Sequence, residues 1–208
     1  MSTVLLVRHG RTAANARGVL AGRTAGVALD EVGRQQVART AERLASIDLA
    51  AVVSSPLQRC RQTARAIVER QSGAPATPID RGLTEADYGE WQGRALTELA
   101  RESLWSAVQN QPSTAVFPGG ESMAAMQARA LAAVHRYDVL FGPDAVWAAV
   151  THADIIKSVL ADARGMHFDQ FQRIAVAPAS VSIVRYDEGG AQLIADAELE
   201  TLSTPGRR

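Results

Sequence analysis

Residues 4–10 read Val-Leu-Leu-Val-Arg-His-Gly, four branched apolar side chains followed by a cation, an imidazole and a glycine. A continuous apolar run of this kind is typical of a parallel strand that is buried on both faces. Ligands of open α/β sheets bind at the carboxyl ends of such strands. The stretch therefore predicts a buried strand, Val4 to Val7, which ends at a ligand site that includes Arg8 and His9.

The residue types that follow this strand suit a phosphate group. The guanidinium of Arg8 offers a rigid fork of donors, which fits phosphate oxygens better than an ammonium does. The imidazole of His9 can serve as a neutral nucleophile near pH 7. Gly10 allows a sharp turn and the close approach of a ligand. A tripeptide of this kind also recurs by chance, so its interpretation depends on the rest of the chain.

Length and composition indicate one compact α/β domain over residues 1–208. The 208 residues are 47% hydrophobic and 21% charged, which is enough apolar material for a sizeable core. The formal net charge is zero, so no global field would attract nucleic acid or an anionic membrane. We therefore expect neither as a partner.

Cysteine usage and hydropathy predict a cytoplasmic protein. The single cysteine, Cys60, excludes an internal disulfide and fits a reducing compartment. No basic segment followed by an apolar one precedes the first strand, which argues against a signal peptide. No stretch reaches the roughly 18 apolar residues that a membrane span needs.

The pattern after the first strand alternates strands and helices. Further strands are predicted at residues 49–53, 146–151, 181–186 and 192–195, the last two as a hairpin through Gly189 and Gly190. Helices are predicted from the Asp30 cap to residue 45, then at 57–70, at 95–109 and at 123–140 with Ser122 as cap. A last helix is predicted to follow the strand end at residues 151–154 and to run to about residue 163. Loops are expected at 11–29 and 80–93, and frayed ends at Ser2 and 205–208. This alternation predicts a three-layer α/β sandwich with a mostly parallel central sheet and helices on both faces.

Polar side chains of one chemical type end three of the predicted strands. Arg8 and His9 follow the first strand, Arg59 follows the second within SSPLQR at residues 54–59, and His152 follows the third. Because adjacent parallel strands present their carboxyl ends at one edge of a sheet, these groups can converge. Two imidazoles and two guanidiniums repel one another unless an anion lies between them, and a phosphoryl group is the natural occupant.

Each of these residues also has a simpler interpretation. A single histidine near a strand end is more often structural than catalytic. Arg59 lies near Arg61 and Arg65 on a predicted helix and could be a solvated charge. The joint placement of the four side chains at separate strand ends is what favours a site.

Five segments, in order along the chain, resemble the signatures of the histidine phosphatase superfamily, in its phosphoglycerate mutase-like branch. They are RHGRTAAN at residues 8–15, SSPLQRCRQTA at 54–64, LTEADYGEWQG at 83–93, FPGGES at 117–122 and VTHAD at 150–154. The resemblance implies a phosphoglycerate mutase-like fold and a phosphohistidine-dependent reaction on the phosphate ester of a small metabolite. It implies neither a metal nor an organic cofactor.

The resemblance also assigns roles to individual residues. It makes His9 the nucleophile that carries the phosphoryl group, while Arg8, Arg59 and His152 hold the phosphoryl oxygens. The arginines would also lower the pKa of His9 and keep the ring neutral. Glu85 would protonate the leaving oxygen and then deprotonate the attacking water.

Two further candidates complete the predicted phosphate site. Asn15, and the backbone N–H of Ala153 at a helix start, are possible phosphate donors. Packing or surface positions are expected for the remaining imidazole, indole and thioether side chains of interest: Trp91, Met123, Met126, His135 and His167.

Other phosphate chemistries fit the sequence less well. A cysteine phosphatase needs an arginine six positions after its cysteine, whereas Arg65 stands five positions after Cys60. No Asp-x-Asp follows an early strand, and no nucleotide-binding loop with Gly-Lys-Ser/Thr is present. A non-catalytic protein that binds a phosphorylated ligand on the same fold stays open as an alternative.

Hydrolysis and phosphoryl transfer are the two enzymatic alternatives, because a phosphatase and a phosphomutase share the phosphohistidine and differ in the acceptor. The loop at residues 83–93 and the Gly-Arg-Thr at 10–12 are more similar to phosphatase members. The segment after Ala195 is short for a tail that closes over a bisphosphate. The sequence therefore favours a phosphatase and leaves its substrate open, and it allows a homodimer without indicating one.

Overall fold

A computed structural model describes residues 2–187 and 190–195 of the chain. The strands are β1 (Thr3–Arg8), β2 (Ala51–Ser54), β3 (Val146–Thr151), β4 (Val181–Asp187) and β5 (Gly190–Ala195). The α-helices of the described residues are α1 (Ala13–Ala16), α2 (Glu31–Leu44), α3 (Gln58–Val68), α4 (Leu96–Leu99), α5 (Ser103–Asn110), α6 (Met123–Phe141) and α7 (Ala153–Ala163). Over these ranges no helix combines the length and the apolar sequence that crossing a membrane requires.

The strands form a mixed sheet in the spatial order β2-β3-β1-β4-β5. The central strand β1 pairs in parallel with β3, with Val7 opposite Val150 and Arg8 opposite Thr151. β3 pairs in parallel with β2, whereas β4 runs antiparallel to β1, and β5 runs antiparallel to β4. Since β1, β2 and β3 are adjacent and parallel, their carboxyl ends lie at one edge of the sheet, as the sequence predicts.

Helices cover both faces of the sheet, which confirms the predicted three-layer sandwich. Alternate residues of β1 point to opposite faces. Val4 and Leu6 pack with buried residues of α6 and α7, whereas Leu5 and Val7 pack with buried residues of α2 and α3. β1 is therefore covered on both sides, which explains its continuous apolar sequence.

The prediction of one helix at residues 95–109 is wrong, because the segment forms two short helices, α4 and α5. The chain bends between them, and Glu102 has extended backbone angles just before α5 begins. Leu99 and Val108 are both buried, yet a single helix would place residues nine positions apart about half a turn out of phase. The bend lets both side chains reach the core, a tertiary requirement that helical periodicity does not reveal.

Two predicted loops contain helical turns. Residues 11–29 include α1, whose N-cap Thr12 accepts from the backbone N–H of Asn15 while the Asn15 side chain accepts from the backbone N–H of Thr12. The pattern Thr-x-x-Asn at residues 12–15 is a capping signal for this turn, although residues 11–29 are predicted as a loop. Residues 80–93 include two turns of 3-10 helix, Arg81–Leu83 and Gly89–Trp91.

The predicted fraying at Ser2 is wrong. The backbone N–H and the hydroxyl of Ser2 both donate to Oδ1 of Asp138, over 2.7 and 2.8 Å. The same hydroxyl accepts from the indole N–H of Trp147 over 2.9 Å. These bonds tie the start of β1 to α6 and β3. The predicted turn residue Gly189 and the predicted frayed end at 205–208 lie outside the described residues.

The end of β1 and the first turn of α2 meet backbone to backbone at Gly10 and Gly33. A Cβ atom on Gly33 would lie 2.0 Å from the carbonyl oxygen of Arg11, and one on Gly10 would lie 2.6 Å from the carbonyl oxygen of Gly33. Both distances are far inside van der Waals contact, so neither position has room for a side chain. This contact fixes α2 against the segment that carries His9.

We expect Gly33→Ala to destabilise the fold, although alanine is favoured over glycine within helices by about 1 kcal/mol. The added methyl group overpacks a backbone contact, which typically costs about 1–3 kcal/mol. Urea unfolding followed by circular dichroism measures the change in the free energy of unfolding. Arg39→Ala, on the exposed face of α2, is the control. A Gly33→Ala variant as stable as the wild type would mean that the two segments separate without cost.

Candidate active site

The carboxyl ends of β1, β2 and β3 open onto a cavity of about 420 Å³. Arg8 and His9 reach the cavity from the end of β1, Arg59 reaches it from the first turn of α3, and Glu85 reaches it from the loop that follows. His152 lies directly behind, with its ring centroid 5.2 Å from that of His9. The structure thus brings together the five residues to which the resemblance assigned catalytic roles.

The ring of His9 is held in one tautomer. Its Nδ1 lies 2.8 Å from the carbonyl oxygen of Gly10, which only accepts, so Nδ1 carries the proton. Nε2 is left as the acceptor and receives a hydrogen bond from Nε of Arg59 over 3.2 Å. Burial, and then the positive charges of Arg59 and Arg8, lower the pKa of His9 to about 3. The ring is therefore neutral at pH 7, with its unprotonated nitrogen on the side of Arg59.

Arg59 is a buried cation that contacts both histidines. Its Nε donates to His9, and its Nη2 donates to the carbonyl oxygen of Gly22 over 2.7 Å and to Nδ1 of His152 over 3.2 Å. Its Nη1 is buried and has no hydrogen-bond partner among the residues described. Because a buried N–H without an acceptor is costly, this donor is available to an acceptor on a bound ligand.

Arg8, like Arg59, bonds to the protein through part of its guanidinium and keeps one buried donor without a partner. Its Nη1 donates to the carbonyl oxygen of Val176 over 2.6 Å, whereas its buried Nε lacks a partner within the described part of the chain. The guanidiniums of Arg8 and Arg59 repel each other, and each keeps one unused donor. An anion with several oxygens, such as a phosphoryl group, would satisfy both donors and remove the repulsion.

His152 is a fully buried, neutral neighbour of Arg59. Because a guanidinium only donates, Nδ1 of His152 accepts, and Nε2 carries the proton that it donates to the hydroxyl of Ser55 over 2.8 Å. Burial, and then the charge of Arg59, hold the pKa of His152 well below its usual range. The ring lies behind Arg59 rather than in the cavity wall, so a direct contact of His152 with a phosphoryl oxygen stays a prediction.

Glu85 is a buried carboxyl group with a raised pKa. Its Oε1 accepts from the backbone N–H of Ala86 over 3.0 Å, and its Oε2 lies 3.8 Å from Nδ1 of His152. Burial, and then the negative charge of Asp154, raise the pKa of Glu85 to about 7, against the opposing effect of Arg59. A carboxyl group with this pKa can both give and take a proton near neutral pH, as a general acid and base must.

The loop that carries Glu85 is held by two arginines. Arg129 of α6 donates to the carbonyl oxygens of Thr84 over 2.7 Å and of Glu85 over 3.1 Å. Arg23 donates to the Glu85 carbonyl oxygen over 2.9 Å. Glu121 pairs with both arginines, at 2.6 Å from Arg129 and 3.0 Å from Arg23. The FPGGES segment therefore contributes a carboxylate that positions the Glu85 loop, which the sequence did not indicate.

Asn15 and Ala153 both line the cavity. The side-chain carbonyl of Asn15 accepts from the backbone N–H and from the hydroxyl of Thr12, over 3.1 and 2.9 Å. Because the oxygen of the Asn15 side chain faces Thr12, its NH₂ group faces away from Thr12 and can donate to another acceptor. Ala153 is the first residue of α7, whose N-terminus therefore lies at the cavity. Both residues thus lie at the cavity, and their role as phosphate donors stays a prediction.

Sequence reasoning missed a polar network in the cavity wall. The hydroxyl of Tyr88 donates to Oδ2 of Asp154 over 2.7 Å, and Nζ of Lys157 donates to Oε1 of Gln172 over 2.9 Å. Asp154 and Lys157 are also 3.6 Å apart. Only Asp154 had a local signal, since it lies two residues after His152 on the first turn of a helix. The other contacts depend on how α7 packs against two loops.

The side chains expected to pack do so. Met123 and Met126 are fully buried in the core, and the ring of His135 lies against Tyr186. Trp91 is buried and stacks on Trp105, although it also reaches the cavity wall. The side chain of His167 is exposed.

Cys60 is not the nucleophile of a cysteine phosphatase. It lies on α3 within the core, where burial raises the pKa of its thiol to about 12. The sulfur lies 3.4 Å from Nε2 of His152 and packs behind the site. A thiol that stays protonated at neutral pH is a poor nucleophile, which agrees with the mismatch in the spacing to Arg65.

Comparison with known proteins places these features in one family. The family model described as histidine phosphatase superfamily (branch 1) matches residues 4–197. The chain is 32% identical to phosphoglycerate mutase-like protein 4 of Arabidopsis thaliana over 165 residues, 77% of this chain and 70% of that protein. It is 30% identical to glucosyl-3-phosphoglycerate phosphatase of Mycolicibacterium vanbaalenii over 175 residues, 81% of this chain and 76% of that protein.

Other relatives are longer. A bifunctional protein of Mycobacterium tuberculosis is 33% identical over 193 residues, which are 92% of this chain and 52% of that protein, so the chain spans about half its length. Among solved structures, Bacillus stearothermophilus YhfR superposes with a TM-score of 0.87 and 25% identity, over 95% of this chain and 98% of that one. The similarity in structure thus extends over nearly the whole sandwich.

We expect the His9 ring to stay neutral, with its proton on Nδ1, as the pH falls well below the usual imidazole pKa. The pKa of about 3 in the fold lies below the reference value of 6.5, so protons bind the unfolded chain more readily. The fold therefore loses stability as the pH falls through this window. The ¹⁵N shifts of the ring nitrogens, assigned with His9→Ala, measure both the tautomer and the midpoint.

Arg59→Gln provides the matched variant for this titration. It removes a positive charge beside His9, so the pKa of His9 should rise. The rise should stop short of 6.5, because burial is the larger cause of the shift and persists in the variant. A wild-type ring that is protonated near pH 6.5 would contradict the assignment of His9 as a neutral nucleophile.

Proposed function

Because the chain belongs to the histidine phosphatase superfamily (branch 1), we propose that it is a phosphohistidine-dependent phosphatase that hydrolyses a phosphomonoester of a small metabolite. One observation carries the proposal: the neutral ring of His9 lies in a cavity where Arg8 and Arg59 each keep an unused buried donor. A phosphoryl group bound there would meet a nucleophile and two guanidiniums at once.

In the first step, Nε2 of His9 attacks phosphorus and the bond from phosphorus to the ester oxygen breaks. The proton of Glu85 passes to that oxygen, so the leaving group departs as a neutral alcohol. Arg8 and Arg59 donate to the equatorial oxygens, where negative charge must be stabilised in the transition state. The product is a phosphohistidine, with Glu85 now ionised.

In the second step, the carboxylate of Glu85 takes a proton from water as the water oxygen attacks phosphorus. The bond between phosphorus and Nε2 of His9 breaks, and inorganic phosphate leaves. Glu85 is protonated again, and His9 is again neutral. The guanidiniums supply the positive charge that a metal supplies in other phosphatases, so the proposed cycle needs neither a metal nor an organic cofactor.

Relatives of the chain carry the names of both a phosphoglycerate mutase-like protein and a phosphatase, so the names alone do not choose between hydrolysis and transfer. Hydrolysis is favoured by the phosphatase-like sequence of the loop at residues 83–93. A non-catalytic phosphate-binding protein would need neither His9 nor Glu85, yet both line the cavity with pKa values suited to their roles. These observations support the hydrolase.

We expect His9→Ala to abolish phosphatase activity, because the variant loses the nucleophile while its core stays intact. During turnover of a ³²P-labelled ester, the wild type should carry acid-labile, alkali-stable label, and the variant should carry none. His167→Ala, which removes an exposed imidazole, should label like the wild type. Label that persists on His9→Ala would assign the nucleophile to another residue.

Glu85→Gln tests the general acid. An alkyl phosphate must leave as a poor alkoxide and needs a proton, whereas p-nitrophenolate leaves readily without one. The variant should therefore lose about 10²–10⁴ in kcat on an alkyl phosphate, the usual range for general acid catalysis, and clearly less in the phosphorylation of His9 by p-nitrophenyl phosphate. Single-turnover rates with both esters measure the difference.

The wild-type pH profile adds an independent readout for Glu85. With an alkyl phosphate, kcat/KM should fall as the pH rises through about 7, because the acid loses its proton there. Glu85→Gln should lack this limb. Equal penalties on the two esters, with the limb retained, would make Glu85 a structural residue.

A further inference from the structure

The cavity extends beyond the phosphoryl site. The polar part of its lining, called here the inner end, holds Arg8, His9, Arg59 and Glu85. The rest of the lining includes a group of apolar side chains, called here the outer wall: Val19, Leu20, Leu96, Trp105, Val108 and Phe117. A leaving group attached to a phosphoryl group at the inner end would lie against the outer wall.

Trp105 gives the outer wall a rigid aromatic surface. Its ring stacks on Trp91, with centroids 6.1 Å apart and planes inclined by 30°. Trp91 is itself buried and makes an edge contact with Phe117 at 5.4 Å. Leu96 is 38% exposed, which leaves a large apolar side chain in water at the cavity. An apolar ligand would cover this surface and gain the free energy of its burial.

The charges around the cavity balance without a second anion. Among the described residues that line it, the permanent cations are Arg8, Arg59 and Lys157, and the carboxyl groups are Glu85 and Asp154. The two arginines match the two charges of a phosphoryl dianion while Glu85 is protonated. Lys157 is the cation that remains, and its ammonium lies 3.6 Å from the Asp154 carboxylate.

The ammonium of Lys157 has further partners. It donates to Oε1 of Gln172 over 2.9 Å and lies 5.3 Å from the ring centroid of Phe171. Asp154 in turn accepts from the hydroxyl of Tyr88 over 2.7 Å. The pair of Asp154 and Lys157 therefore adds no net charge to the cavity. A second anionic group on a substrate would meet an ammonium that is already paired.

We infer that the site selects phosphate monoesters whose leaving group is uncharged and apolar, with an aryl or cycloalkyl body, over phosphorylated acids and bisphosphates. This selectivity rests on the proposed phosphatase activity and deepens it. A carboxylate on the leaving group would be desolvated beside Asp154 without a free cation. An apolar ring would instead leave water for the surfaces of Trp105 and Leu96.

Three alkyl phosphates separate charge and shape from leaving-group chemistry, because their alcohols have similar acidity. They are 2-phenylethyl phosphate, n-propyl phosphate and 3-phosphooxypropanoate. We expect kcat/KM for the phenylethyl ester to exceed that for the propyl ester ~10-fold or more, a normal value for an added apolar contact in a pocket. The propanoate should be the poorest of the three.

Two variants assign the selectivity to the residues named. Trp105→Ala should bring the ratio of kcat/KM for the phenylethyl and propyl esters close to one, mainly through KM, whereas Leu104→Ala on the same helix should preserve the ratio because Leu104 does not line the cavity. Asp154→Asn should raise the ratio for the propanoate and propyl esters, since it removes a carboxylate and frees Lys157. Using ratios cancels effects on Glu85 that both esters share.

The outcomes separate this inference from the proposed function. Similar kcat/KM values for the three esters, or a preference for the propanoate, would overturn the inferred selectivity while the protein remained a phosphatase. A selectivity that survives Trp105→Ala would overturn the role of the outer wall. Failure to hydrolyse any of the three esters or p-nitrophenyl phosphate would instead overturn the proposed function.

Discussion

The buried guanidinium of Arg59 is the group on which the site depends. It bonds to His9 at the end of β1, to His152 at the end of β3 and to the backbone of Gly22 in the loop after α1. It thus joins three segments that the sheet and its connections bring to one edge. Its hydrogen-bond partners are neutral acceptors rather than a carboxylate, so no direct ion pair compensates its charge. Arg8 at its side bonds to the backbone carbonyl of Val176, and the nearby carboxyl groups of Glu85 and Asp154 offset part of its charge. The fold supplies the rigidity that keeps two cations together, and the phosphoryl group of the proposed substrate would supply the balancing charge.

Burial in this pocket acts on acids and bases in opposite directions. It lowers the pKa of His9 from a reference value of 6.5 to about 3, and it raises the pKa of Glu85 from 4.5 to about 7. The pKa of the carboxyl group thereby lies above that of the imidazole, the reverse of their usual order. Near neutral pH the imidazole is unprotonated and the carboxyl group retains much of its proton. These are the two protonation states that attack on phosphorus and protonation of a leaving oxygen require. One physical cause, removal from water, prepares both reactants.

Patterns of neighbouring residues in the sequence predict those strands and strand ends whose positions depend on the nearby sequence. The unbroken apolar run of β1 predicts a strand covered on both faces, and the polar residues at three strand ends predict where Arg8, His9, Arg59 and His152 meet. The break between α4 and α5 was not predicted, because it arises from the need to bury both Leu99 and Val108. The support of the Glu85 loop by Arg129 was missed for a related reason. Its bonds run from α6 to backbone carbonyls more than forty positions earlier, and no pattern of side chains records an acceptor on the backbone.

The residues that local patterns predict and the residues whose positions depend on tertiary packing lie largely in different parts of the cavity. The inner end comes from the end of β1, from the first turn of α3 after β2, and from the loop that carries Glu85. Sheet pairing sets the positions of the strand ends, which tolerate little change, since even a methyl group at Gly33 has no room beside Arg11. The outer wall comes largely from α4, α5 and the glycine-rich loop, which are short and joined by bends. In the proposed reaction, substitutions there would alter the surface that meets the leaving group without moving the groups that meet phosphorus. A fold divided in this way could keep one phosphoryl chemistry while its substrate changes, and so we propose that the outer wall carries the information about substrate.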